Sequence, residues 1–335
     1  MRFGSWHRRG MSVLCALRCC LALLLCGSLL AAHADASTAG ASAKAAAAAT
    51  CPPTVHAEAP PPSDAVAPDR GFLWRISRDG RSSWLFGTLH VGKPAWRRFG
   101  PHLTAALRSS DVLALEIDPS DPSLLATLAE NRPAASLPAA LEARLAKAYE
   151  RACLRPELLS TLHPVLQATT LIVLEARWLG LDPLYALEHS LSQQARSQGR
   201  PVVSLESAAQ QKAALVPEDE TDTLRLMEQS LSQLEDQSGR RVMARLAEAW
   251  ESGDLAALED YERWCECLAG ASERAFMRKL NDERNSPLAD GIEAQHQQGR
   301  RVFAAVGALH MTGPQSLPLL LKQRGFVVER LHFKR

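Results

Sequence analysis

Short apolar runs recur along this chain, and most of them end in a polar residue. Residues 72–77 and 83–86 flank Asp79-Gly80, and Asp-Gly between two strand-like runs is a hairpin signal because the turn needs positive φ. Further runs lie at Val112–Leu115, 201–205, 301–306 and 326–331. They are short, unbroken and separated by longer stretches with apolar residues at helical spacing, as in 137–152, 161–179, 223–234 and 242–250. Gly180, Gly199, Gly239 and Gly253 fall where helices would stop. This pattern predicts an α/β fold. A central mixed sheet opens with a β-hairpin, helices cover both faces, and a large helical insertion occupies the middle of the chain.

In open sheets of this kind ligands bind at the carboxyl ends of the strands. Four of the runs deliver a metal-competent or catalytic group there: His90 after Gly87-Thr88-Leu89, Glu116 after Leu115, Glu206 after Leu205, and His310 after Gly307-Ala308-Leu309. One strand-end histidine or glutamate alone is ordinarily structural or solvated; the repeated placement is the signal. His102, His189 and His296 lack a partner pattern and read as surface or packing residues, and His163, before Pro164, as a helix-end residue. There is no Gly-rich phosphate loop after a strand, no G-x-S-x-G elbow and no H-E-x-x-H helix, so nucleotide-binding, serine-hydrolase and zincin readings lack their anchor.

The first 34 residues read as an export signal. Arg2, Arg8 and Arg9 precede an apolar stretch, and Ala32-His33-Ala34 offers the small-x-small cleavage pattern. Residues 35–70, rich in Ala, Ser, Thr and Pro, read as a flexible tether, so the folded domain spans 71–335. No later segment reaches the roughly 18 apolar residues of a membrane span, which predicts a mature form without one, periplasmic or secreted. A formal net charge of +1 excludes the basic footprint of a nucleic-acid binder. Cys51, Cys153, Cys265 and Cys267 remain after cleavage, and an oxidising compartment favours a bridge, expected from Cys153 to Cys265 or Cys267.

The paired elements Gly87-Thr88-Leu89-His90 and Gly307-Ala308-Leu309-His310, with Glu116 in Leu115-Glu116-Ile117-Asp118, resemble the TraB/GumN family, which includes the Tiki metalloproteases. Leu205-Glu206 with Gln210, the helix end Ala249-Trp250-Glu251-Ser252-Gly253-Asp254, and Arg284-Asn285 resemble further family motifs in the same order. Two segments depart from it. Ala186-Leu187-Glu188-His189 stands where many relatives have Gly-x-Asp, and Ser286-Pro287 replaces a Trp-containing turn after Arg284-Asn285.

The resemblance implies a metal-dependent hydrolase, a peptidase acting on peptide or protein substrates. His90, Glu116 and His310 are then the metal ligands. Two imidazoles and a carboxylate suit a first-row divalent ion with positions left for water and substrate. Mn or Co is implied by the Tiki proteins, with Zn compatible. Glu206 is the candidate general base. Arg284 either stabilises a developing oxyanion or clamps Glu116 or Glu206, and Asn285 donates a hydrogen bond to substrate or backbone. The rival readings are a haem- or metal-binding module without turnover, and a scaffold for envelope or conjugation machinery.

Overall fold

In a computed structural model the described residues are 51–55, 66–129, 136–265 and 270–333. The expected signal segment and most of the tether lie outside them. Strands β1 (Phe72–Arg78) and β2 (Arg81–Thr88) form the expected antiparallel hairpin, with Arg78 opposite Arg81. Asp79 and Gly80 between them take φ of 52° and 71°, the left-handed pair that a tight two-residue turn requires. The other strands are β3 (Val112–Leu115), β4 (Val202–Ser204), β5 (Val302–Gly307) and β6 (Val327–Leu331).

They make one sheet in the order β4-β3-β5-β2-β1-β6. Strands β4, β3, β5 and β2 run parallel, while β1 is antiparallel to both its neighbours. Every residue of β3 and β5 is buried, which is why these central strands read as continuous apolar runs rather than alternating ones. All four parallel strands therefore end on the same edge of the sheet.

Helices α1 (Pro101–Arg108) and α2 (Ser123–Ala129) precede the insertion. The insertion is helical as expected: α3 (Ala139–Ala152), α4 (Pro164–Leu174), α5 (Leu187–Ser197), α6 (Ala208–Leu215), α7 (Glu220–Asp236) and α8 (Ser238–Ser252). Strand β4 interrupts it between α5 and α6. His163 does cap a helix end, accepting from the Val165 amide at 3.3 Å. Gly180, Gly199 and Gly253 have the expected positive φ, but Gly239 does not stop a helix. It lies in the first turn of α8, and the left-handed residue between α7 and α8 is Gln237. Beyond α8 come α9 (Leu255–Glu259), α10 (Tyr261–Trp264), α11 (Ala271–Leu280), α12 (Asp282–Gln297) and, after β5, α13 (Leu317–Gln323).

The Trp-x-x-Gly-Asp segment ties the insertion to the sheet. Trp250 donates its indole N–H to the Gly87 carbonyl at 2.7 Å and accepts from the Gly71 amide at 3.0 Å. A Cβ at Gly71 would meet the Trp250 ring at 2.7 Å, so the glycine is needed for that close approach. Asp254 then caps α9 through the Ala257 amide.

The expected bridge from Cys153 to Cys265 or Cys267 is not formed. Cys153 pairs with Cys51, 102 residues earlier. Cys153 is the left-handed residue that ends α3, and its side chain faces the incoming N-terminal segment. Cys265 is itself oxidised, and Cys267 lies outside the described residues. The bridge also draws residues 51–55 out of the tether and against the domain, where the Val55 carbonyl accepts from the Tyr185 hydroxyl. Among the described residues no helix is long and apolar enough to cross a membrane.

Candidate functional site

The carboxyl edge of the parallel strands gathers all six residues singled out in the sequence. Glu116 directly follows β3, and Glu206 lies two residues past β4. The Glu206 amide donates to the Glu116 carbonyl at 2.8 Å, so the β3–β4 pairing continues beyond the strands and sets the two carboxyl groups side by side. His90 leaves β2 in a loop, and His310 leaves β5 in a 3-10 turn, Ala308–Met311. Arg284 and Asn285 enter from the first turn of α12.

The two G-x-x-H glycines serve close packing. Neither has positive φ. A Cβ on Gly307 would stand 3.1 Å from Glu116 Oε1 and 3.4 Å from His90 Nε2, and one on Gly87 would stand 3.2 Å from the Ala308 Cα. With hydrogen in that place, the Gly307 amide donates to Glu116 Oε1 at 2.6 Å.

Arg284 is the hub. It is buried and grips both glutamates at once. Its Nη2 donates to Glu116 Oε2 at 2.5 Å and to Glu206 Oε1 at 2.6 Å, and its Nε donates to Glu206 Oε2 at 2.9 Å. Its Nη1 donates to the Leu280 carbonyl at 3.0 Å and lies 3.4 Å from His310 Nε2. Both imidazoles converge on one oxygen: His90 Nε2 stands 4.0 Å and His310 Nε2 3.9 Å from Glu116 Oε1.

Asn285 turns its amide oxygen to the second histidine. Its Oδ1 lies 2.6 Å from His310 Nδ1, and since an amide oxygen can only accept, the proton belongs on Nδ1 and the Nε2 lone pair faces the cluster. The sequence reading missed Glu188, on α5, whose Oε1 lies 3.0 Å from His90 Nδ1. The one available signal was its place in the Ala186-Leu187-Glu188-His189 departure.

The charges are strongly perturbed. Burial pushes the Glu116 carboxyl up, but Arg284, the two histidines and the Gly307 amide outweigh it and bring it down to about 2. Burial holds Glu206 above the ordinary carboxylate range despite Arg284, with the Glu116 charge adding to the rise. Burial lowers His310 to about 3, so its ring is neutral over the physiological range. Burial alone would lower Arg284, but the two glutamates hold its guanidinium firmly charged.

Other conspicuous residues are structural. Gln210 closes a capping box with Ser207 at the start of α6, accepting from the Ser207 amide at 2.7 Å. His296 is fully buried, bonded to the Arg78 carbonyl and packed edge-on against Phe326, while His102 lies at the surface against Asp69.

A sequence model of the TraB/PrgY/gumN family matches residues 72–330. The protein YbaP of Shigella flexneri is 28% identical over 263 residues, covering 72% of this chain and 88% of that protein. YbaP of Escherichia coli (strain K12) is 28% identical over 285 residues, covering 75% of this chain and 97% of its own length. No solved structure gives a significant match.

Proposed function

We propose that this chain, which belongs to the TraB/PrgY/gumN family, is an exported hydrolase whose strand-end cluster holds a divalent metal ion and acts on peptide or protein substrates. The observation that carries the reading is the convergence of two imidazole Nε2 atoms on Glu116 Oε1, at 4.0 and 3.9 Å, inside a buried acidic cluster.

Among the described residues no group of three His, Cys, Asp or Glu is arranged so as to hold a metal ion. The donor set nevertheless fits one in kind. Ligands about 2.1 Å from a tetrahedral ion stand roughly 3.4 Å from each other, so each imidazole lies about half an ångström too far from Glu116 Oε1. Charge points the same way, because Arg284 alone faces two glutamates and cannot neutralise both. His90, Glu116 and His310 would be the ligands of a first-row ion, Mn, Co or Zn. Such an ion supplies Lewis-acid polarisation of a carbonyl and lowers the pKa of water.

The protein's own groups do the rest. Glu206 accepts from Arg284 through both oxygens, yet each oxygen keeps a lone pair, and burial raises its affinity for a proton. It is the group to take a proton from the attacking water. Arg284 presents a fixed positive charge beside that carboxylate, suited to a developing oxyanion. Asn285 fixes the His310 ring. Export is supported by the Cys51–Cys153 bridge, since disulfides persist in oxidising compartments.

The scaffold reading draws support from one observation: Arg284 already supplies a counter-charge within the cluster. Elemental analysis after reconstitution with Mn²⁺, Co²⁺ or Zn²⁺, beside cleavage of a peptide library, separates the two. We expect about one ion per chain, lost in His90→Ala and His310→Ala. Glu206→Gln should keep the ion and lose hydrolysis. Metal without cleavage would favour a carrier, and no metal under any condition would leave the scaffold.

A further inference from the structure

We infer that Glu188 is a positioning residue for His90, holding the proton on Nδ1 so that the Nε2 lone pair faces Glu116. The inference rests on the hydrolase reading only for what that lone pair would bind.

Glu188 is 4% exposed, and neither of its carboxyl oxygens makes a hydrogen bond among the described residues, so its approach to His90 is an ion-pair contact. Burying a carboxyl group away from water and without hydrogen bonds is costly. The polar atom that stands against it is His90 Nδ1, at 3.0 Å. A carboxyl group kept in so costly a place calls for a role, and that neighbour supplies it.

The juxtaposition is built by the backbone on both sides. The Leu187 amide donates to the Leu89 carbonyl at 3.2 Å, one residue before each of the two side chains. Gly92 and Asp182 exchange two backbone bonds, at 3.1 and 2.8 Å. Asp182 is held in turn by Arg177 at 2.7 Å. A Cβ on Gly92 would stand 2.1 Å from the Tyr185 carbonyl oxygen, so only glycine lets the two loops lie this close. The loop that carries His90 and the segment that leads into Glu188 are thus stitched at both ends.

The arrangement parallels the one at the other histidine, where the contact is a hydrogen bond. Each G-x-x-H ring has an oxygen at Nδ1, from Glu188 on α5 for His90 and from Asn285 on α12 for His310. The two backings differ in kind, an acid and an amide. Oxygen acceptors behind a ligating histidine orient the ring and raise its basicity, and their loss typically weakens metal affinity about 10–100-fold.

The tautomer can be read without any metal. Long-range ¹H–¹⁵N spectra of the chelator-treated protein at pH 8, with His90 identified by its absence in His90→Gln, should show the His90 proton on Nδ1. Glu188→Leu should move it to Nε2 or to a mixture, while Glu188→Gln, whose amide oxygen still accepts, should keep it on Nδ1. His310 should be unchanged in both and serves as the internal control. Thermal unfolding of each variant confirms folding. In the same samples Mn²⁺ should bind Glu188→Leu about 10–100-fold more weakly than wild type. An Nε2-protonated His90 in the wild type, or a tautomer unmoved in a folded Glu188→Leu, overturns the inference. A wild type that binds no Mn²⁺ but shows the expected tautomers overturns the hydrolase reading and leaves Glu188 in its role.

Discussion

Arginine meets glutamate differently in the helical insertion and at the edge of the sheet, and the difference is one of charge balance. In the helical insertion Arg240 of α8 meets Glu175 one to one, with contacts of 2.6 and 3.0 Å to one oxygen, and stacks 5.0 Å from the Trp178 ring. At the sheet edge Arg284 meets Glu116 and Glu206 together, with Glu188 nearby behind His90. The first cluster is neutral and partly open to water, which is what holding two helical elements together requires. The second is buried, carries more acid than base, and includes two imidazoles. A fold selected for stability alone has no reason to concentrate like charges out of water. The imbalance, rather than the burial of an ion pair as such, sets the strand ends apart as the candidate site.

The sharpest way to break the comparison is to remove each arginine. Arg284→Leu leaves two buried carboxyl groups without their cation and should cost about 3–5 kcal/mol. Arg240→Leu strands a single buried carboxyl group, Glu175, beneath a partly exposed arginine, so it should cost less, about 1–3 kcal/mol. Urea unfolding of the two variants decides the matter, and equal losses would mean that the clusters do the same structural work. A divalent ion that raised the unfolding temperature of Arg284→Leu but not of Arg240→Leu would show that the excess acid attracts cations.

A smaller effect is expected at Gly307. The added methyl of Gly307→Ala would press on Glu116 Oε1 from 3.1 Å, and overpacking of this sort costs about 1–3 kcal/mol. Chemical denaturation of this variant beside the wild type tests whether the glycine before His310 is there for the cluster.

The third difference shows in pH. The Glu116 carboxyl falls from 4.5 in the unfolded chain to about 2 in the fold. A depressed acid contributes stability that is fully present above the unfolded value and lost as pH falls through the folded one. Glu206 is raised and works in the opposite sense, so its contribution is present at low pH and fades as pH rises above 4.5. Wild type should therefore lose stability between about pH 4.5 and 2 more steeply than Glu116→Gln, whereas Glu206→Gln should gain on wild type above pH 4.5. Unfolding curves across that range would contradict the assignment if Glu116→Gln tracked the wild type.

Much of the architecture was legible along the chain because it is local. The Asp79-Gly80 hairpin, the unbroken runs of β3 and β5 and the helical periodicity of the insertion depend on turn geometry and on side-chain spacing a few residues apart. The strand-end positions of His90, Glu116, Glu206 and His310 followed from the same runs, since in a parallel sheet every strand delivers its next residue to one edge. Three things were decided only in three dimensions. Arg284 clamps two glutamates because α12 docks with its first turn over the ends of β3 and β4. Cys153, at the left-handed end of α3, pairs with Cys51 across a sequence gap that no spacing rule could bridge. Glu188 meets His90 because Gly92 and Leu187 bring two distant loops into backbone contact. Periodicity reports which residues face a core or end a strand. Which groups then share a buried space depends on how whole elements dock, and that balance of packing and desolvation is written in no single stretch of the chain.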